Sequence, residues 1–188
     1  TQNALSLLEQ RIRSGDSTMH FYNAHSMFDV ARLLGDALRE VKSRDGPYLM
    51  QNNIDAAASF IVGGQIRGEP PRLFHVYNEG NFIEATLETC YFQIGETKYG
   101  KPIIDRVVNR HTTLTDAVKC TIVSFDSTMR SNISVGLPID LCVYDHDALR
   151  LRLVRRVDED DPYFQMVHTQ WGEGLRRVFG QLPDPQWA

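Results

Sequence analysis

The stretch Phe60-Ile-Val-Gly-Gly-Gln-Ile-Arg-Gly-Glu-Pro-Pro-Arg-Leu-Phe-His-Val-Tyr77 gathers Gly63, Gly64, Gly68 and the Pro70-Pro71 pair between two β-rich runs. Such a glycine cluster is either a phosphate cradle or the bend of a hairpin. A phosphate loop needs GxxxxGK[ST] or GxGxxG between a strand and a helix, so that backbone N–H groups and the helix N-terminus face the anion. Here the glycines lead into a second β-rich run at 73–77, with no helix start behind them. The stretch therefore reads as a sheet hairpin, with a bulge expected at Gly63-Gly64.

The β-rich pattern extends outward from this hairpin. Runs at 59–66, 72–78, 82–86 and 90–95 are separated by turn residues, and Asn78-Glu79-Gly80 is a tight turn with Gly80 free to take positive φ. Towards the N-terminus, Ala4, Leu5, Leu8 and Ile12 share one helical stripe that ends at Ser14-Gly15-Asp16. A second helix starts at Ser26, with Asp29 three residues on as a capping-box-like pair. Its apolar face runs through Val30, Ala31, Leu33, Leu34, Ala37, Leu38 and Val41. Lys42 and Arg44 suit the dipole at its end, and Gly46-Pro47 is expected to stop it.

Towards the C-terminus, helical patterning returns at about 100–109. A stronger helix starts from a Thr113 cap and runs to about Arg130. Ile133, Val135, Leu137, Ile139, Leu141 and Val143 then alternate as one long strand, paired with Leu151–Val157 across the Asp145-His146-Asp147 turn. The last helix opens at Asp160-Asp161-Pro162. Phe164, Val167, Trp171, Leu175 and Val178 are expected on its buried face, and Gly180 closes it. Helices come in pairs and strands in hairpins, which predicts an α+β fold of antiparallel sheets covered by helices. Six strands are few for two stacked sheets, and the chain opens directly in a helix.

A chain of 188 residues suits one domain, and 42% hydrophobic with 23% charged residues is ordinary for a soluble protein. A net charge of -4 argues against nucleic acid as the partner. No apolar run reaches the ~20 residues of a membrane helix. Cys90, Cys120 and Cys142 form no close-spaced pair, which fits a reducing cytosol and neither a disulfide framework nor a zinc site.

The residues give no enzyme motif of their own. GxSxG is absent, and Ser127 lies inside a helical pattern as a surface or packing hydroxyl. His20, His25, His75, His111, His146 and His168 lack HxxxH spacing and read as surface or packing residues. Asp145-His146-Asp147 suits a cation or, equally, a solvated turn. The acidic run at 158–161 is charge suited to a helix N-terminus, and nothing basic neighbours Cys142 to make a thiolate. No metal and no cofactor is expected.

Longer runs carry a resemblance. Ile61-Val-Gly-Gly-Gln-Ile-Arg-Gly-Glu-Pro-Pro-Arg72 continues into the strand ending at Tyr77, then Glu79-Gly80. Beyond it stand Gln93-Ile-Gly-Glu-Thr-Lys-Tyr-Gly-Lys-Pro-Ile-Ile-Asp105, Ser124-Phe-Asp-Ser-Thr-Met-Arg-Ser-Asn132 and Val135-Gly-Leu-Pro-Ile-Asp140. Together they resemble the proteasome β-type family of N-terminal-nucleophile hydrolases, and within it the bacterial proteasome-like peptidases called Anbu, or ancestral β-subunit. The likeness spans essentially the whole chain. It implies a four-layer αββα sandwich, here a single proteasome-subunit-like domain over 1–188 that lacks its opening strands. It also implies a threonine-type endopeptidase, whose N-terminal threonine hydroxyl attacks a peptide carbonyl with its own α-amine as base. An α-amine with a pKa of about 8 is close to working pH, unlike a lysine.

Thr1 begins a helix and not a strand, so it is read as a helix cap or an accidental start, and the nucleophile is expected outside this chain. By position in the family pattern, Thr97 stands for a serine that supports the amine. Asp126 stands for an aspartate near the end of the corresponding helix, and Ser131 for a following serine, although the spacing here is longer. The resemblance further implies cytoplasmic self-assembly into a ring or helical oligomer, with peptide or unfolded protein as substrate and an unfoldase as a further partner. This chain alone is expected to be inactive. The rival readings are a non-catalytic structural subunit of such an assembly and an unrelated α/β-sandwich binding protein.

Overall fold

The computed structural model describes residues 2–14 and 19–187. The expected cap at Thr1 and the helix end at Gly15-Asp16 lie outside them. The chain forms two compact units, Thr1–Ile94 with Asp145–Arg150, and Gly95–Tyr144 with Leu151–Ala188.

In the first unit, α1 (Gln2–Arg13) and α2 (Met27–Gln51) cover an antiparallel sheet of β1 (Phe60–Gly64), β2 (Arg72–Val76) and β3 (Phe82–Glu84), in the order β1-β2-β3. Ser26 caps α2: its Oγ accepts from the Asp29 N–H at 3.1 Å and donates to the Asp29 carboxylate at 2.9 Å. Ala31, Leu34, Ala37 and Leu38 of α2 then meet Phe74 and Val76 of the central strand, with Ala4 and Leu8 of α1 closing the same core. Leu5, expected on that stripe, is exposed.

The hairpin at 60–77 forms as expected, but without a bulge. Its register is regular through Gly63↔Leu73 and Gly64↔Arg72. The two glycines instead make room, because a Cβ at Gly63 would stand 3.0 Å from the Leu73 side chain and one at Gly64 3.3 Å from Met27 of α2. Gly68 turns the connecting loop at φ +88°. Gln65 in that loop holds the 145–147 turn, donating to the Asp147 carboxylate and accepting its N–H at 2.9 Å. The other Asp147 oxygen faces His146 at 2.9 Å, so this turn is tied internally.

Three elements differ from the sequence reading. α2 passes through Gly46-Pro47 to Gln51, although an interior proline removes one donor and crowds the preceding turn, and the turns beyond close on themselves. The Asn52 N–H and side chain reach the Leu49 and Tyr48 carbonyls, and the Ile54 N–H reaches Leu49. Residues 90–95 form no strand, because β3 pairs only with β2 and the chain turns away through a Thr86 N–H to Thr89 carbonyl bond. Residues 133–138 also stay outside the sheet. The Val135 N–H bonds back to Asn132, Pro138 has no N–H to donate, and the strand starts at Ile139.

The second unit holds α3 (Lys101–Val107), α4 (Leu114–Ser131), the hairpin β4 (Ile139–Tyr144) and β5 (Leu151–Val157), and α5 (Pro162–Gln181). Ile122 and Val123 of α4, Ile139 and Val157 of the hairpin, and Phe164 and Val167 of α5 make its core. Thr113 caps α4 by accepting from the Asp116 N–H. Asp161 caps α5, one oxygen accepting from the Tyr163 and Phe164 N–H groups at 2.9 and 3.0 Å and the other from Arg155 of β5 at 2.5 Å. Leu175 and Val178, expected on the buried face of α5, are each 54% exposed, and the helix runs one residue past Gly180.

Gly35 of α2 meets Gly80 of the β2–β3 turn so closely that a Cβ at Gly35 would collide with the Gly80 carbonyl, while Gly80 itself sits at φ +77°. Gly35→Ala is therefore expected to destabilise the protein by about 1–3 kcal/mol, although helix propensity alone favours alanine by ~1 kcal/mol. Chemical denaturation measures this, and an unchanged or higher midpoint would contradict the packing. A second outcome concerns acid. The Phe164 N–H and the Arg155 guanidinium hold the Asp161 carboxyl below its usual range. A depressed folded pKa stabilises above the unfolded value of about 3.9 and is lost as pH falls through it. Asp161→Ala should thus cost about 1–2 kcal/mol near neutrality, and its difference in Tm from the parent should shrink between pH 6 and pH 3.

Candidate functional site

α4 places most of the second unit's polar chemistry. With about 100° per residue, Ser124, Thr128 and Ser131 share one face, and Asp126 lies on the opposite one. The first face meets α3. A Cβ at Gly100, the residue before α3, would collide with Ser124 Oγ and stand 3.2 Å from Thr128 Oγ1. Thr128 Oγ1 donates to the Ser124 carbonyl at 2.8 Å, so both hydroxyl residues stay buried.

Thr97 lies three residues before Gly100, half-buried, with its carbonyl accepting from the Lys101 N–H at 3.0 Å. Its neighbour Glu96 accepts from Asn132 Nδ2 at 2.8 Å. Asn132 ends α4: its N–H reaches the Thr128 carbonyl, and its side-chain oxygen accepts from the Ser134 N–H at 2.8 Å and the Ser134 hydroxyl at 2.6 Å. Ser131, the last residue of α4, is exposed beside this cluster. The two segments that carry Thr97 and Ser131 are thus tied through Glu96 and Asn132.

Asp126 is placed differently. It is 2% exposed in the interior of α4, and its Oδ1 meets His168 Nδ1 of α5 at 2.5 Å. Its Oδ2 is buried without a hydrogen-bond partner, with Arg130 Nε 3.9 Å from it. The second ring nitrogen of His168 meets Arg130 at 3.3 Å. His168 also stacks near Phe164 and edges a cavity of about 420 Å³ lined by Met129, Leu137, Glu159 and Gln165. Asp126 therefore faces away from Thr97 and Ser131, and the three sequence candidates do not converge on one point.

Glu96, Asn132 and Ser134 were not singled out by sequence reasoning, and His168 was read only as a surface or packing residue. His168 lies 42 residues from Asp126 on another helix, so no local pattern joins them. Asn132 carried a readable signal, a polar residue directly after a helix and followed by Ser134. Ser127 is half-buried within α4, as its helical setting implied. Burial pushes the Cys120 thiol up, which leaves it unreactive. Among the described residues, no group of three or more His, Cys, Asp or Glu side chains could hold a metal ion, and no helix is long and apolar enough to cross a membrane.

No protein-family model matches this sequence, and no curated protein does. Solved structures do. Anbu (ancestral beta-subunit) from Yersinia bercovieri is 47% identical with a TM-score of 0.91, over 100% of this chain and 76% of that one. The Anbu complex from Pseudomonas aeruginosa, solved as a helical assembly, is 47% identical with a TM-score of 0.91, over 98% and 75%. Anbu from Hyphomicrobium sp. strain MC1 is 43% identical with a TM-score of 0.89, over 98% and 76%. The fold is accordingly α+β, of the N-terminal-nucleophile hydrolase type. With identity at this level along its whole length, the chain belongs to the Anbu family of ancestral, proteasome-like β-subunits.

Proposed function

We propose that this chain is the body of a self-assembling, proteasome-like peptidase subunit of the threonine type. The observation that carries the reading is the 47% identity and 0.91 TM-score to an Anbu β-subunit over the whole chain. The working threonine is carried by sequence outside these 188 residues. Its hydroxyl attacks the peptide carbonyl, and its α-amine, near pKa 8, takes the proton.

Within this chain, Thr97 and Ser131 are the supporting hydroxyls. The Glu96–Asn132 bond supports that role by holding their two segments together at the end of α4. Asp126 acts as a positioning residue, because its buried carboxylate fixes α4 against His168 and presents no oxygen to solvent. Substrates are peptides or unfolded protein, with an unfoldase as the natural supplier of threaded chain. Free Cys90, Cys120 and Cys142 support a cytoplasmic location. The helical assembly solved for the Pseudomonas aeruginosa relative supports self-association here.

Full-length protein treated with a threonine-directed electrophile should gain one adduct, mapped by peptide mass to its N-terminal threonine. The labelling rate should fall as pH drops below about 8, where the α-amine protonates. An adduct at Ser127 or Cys142 would overturn the mechanism, and an assembled but unlabelled protein would favour a purely structural subunit.

A further inference from the structure

The end of α4 carries a short hydrogen-bond chain whose direction is dictated by its chemistry. Glu96 stands at one end, half-buried, with both carboxylate oxygens engaged. One accepts from the Lys98 N–H at 3.1 Å and closes the turn ahead of α3. The other accepts from Asn132 Nδ2 at 2.8 Å. At the far end, the Ser134 hydroxyl and N–H both donate to Asn132 Oδ1, at 2.6 and 2.8 Å.

An ionised carboxylate only accepts, while an amide has one accepting and one donating end. Glu96 therefore fixes which way Asn132 lies, with its NH2 group towards the carboxylate and its oxygen towards Ser134. The Ser134 proton is thereby committed inward. A serine hydroxyl on a protein surface ordinarily rotates to donate or accept as its neighbours require. Ser134 is exposed, yet it offers an incoming group its lone pairs alone.

We infer that Glu96 is a positioning residue for the peptidase reaction, acting through Asn132 to make the Ser134 oxygen an obligate acceptor towards the threonine α-amine. This rests on the function proposed above and adds to Thr97 and Ser131 a third hydroxyl, one with a defined direction. A general base needs its lone pair free for the proton that it takes. A hydroxyl that accepts from an amine N–H leaves that lone pair free, whereas one that donates occupies it. As the threonine oxygen bonds to the carbonyl carbon, its proton passes to the amine. The ammonium so formed donates a hydrogen bond to Ser134, and no proton moves onto the serine. A hydrogen bond made to the charged form favours that form, so the same acceptor strengthens the amine as a base.

The test uses the full-length protein and the rate at which a threonine-directed electrophile labels its N-terminal threonine. Glu96→Gln reverses the chain. With the new carbonyl oxygen kept by the Lys98 N–H, the new NH2 group faces Asn132, which must flip and send the Ser134 proton outward. Labelling should slow by roughly 10-fold or more, and the midpoint of its pH profile should move to lower pH. Adding Asn132→Asp restores the direction, because the amide at 96 then donates to a carboxylate that accepts from Ser134. The double variant should regain both the rate and the midpoint, which a loss of folding would not allow. In a Ser134→Ala background, Glu96→Gln should change neither. If Glu96→Gln alone labels with the parent's rate and midpoint, the inference falls and the peptidase reading stands. A double variant as slow as the single one overturns the inference too, since the charge at 96 and not the direction of the chain then matters. A parent that takes no label at its N-terminal threonine brings down both.

Discussion

A carboxylate almost wholly removed from water in the interior of α4 governs how the second unit is put together. Burying an ionised Asp126 costs several kcal/mol unless a partner compensates, and the structure supplies His168 at 2.5 Å with Arg130 at the edge. The partner comes from α5, so that helix can neither slide nor roll along α4 without stranding the charge. On the opposite face, Gly100 lies against Ser124 and Thr128, and a Cβ there would collide with the Ser124 hydroxyl. α4 is thereby clamped between a polar tie and a tight steric contact. Its C-terminal end emerges in one orientation, and there Asn132 meets Glu96 and gathers Ser134. Any role of Thr97 and Ser131 in chemistry depends on that clamp, because neither has regular structure on both sides to hold it.

The first unit solves a different problem. α2 must lie close to a sheet whose β2–β3 turn projects towards it, and the solution is glycine on both sides, Gly35 on the helix and Gly80 in the turn. Gly63 and Gly64 do related work in β1, admitting Leu73 and Met27. A glycine cluster that looks like an anion cradle on paper serves side-chain packing, because the chain continues into a strand and offers no helix N-terminus.

Local chemistry was readable without coordinates. The Ser26, Thr113 and Asp161 caps each act within three residues, and the Asn78-Glu79-Gly80 turn depends on one positive φ, so their signals sit in adjacent letters. The family was legible as well, since long runs such as 61–72 and 93–105 carry it. What escaped is non-local. The Asp126–His168 tie spans 42 residues, and the Gly35–Gly80 approach joins a helix to a distant turn. The alternation at 133–137 read as strand, but pairing requires a partner with free N–H and carbonyl groups, and the turn at Asn132 with Pro138 denies it one. Periodicity likewise identified the face of α5 that carries Leu175 and Val178. It could not say that both would stay half exposed there.

The clamp on α4 is tested most directly by a double-mutant cycle between Asp126→Asn and His168→Gln, read by chemical denaturation. A buried, hydrogen-bonded pair predicts a coupling energy of about 1–2 kcal/mol, the double variant losing less stability than the two single losses combined. Losses that add to within about 0.5 kcal/mol would show that the two side chains are only neighbours, and that something else sets the orientation of α4.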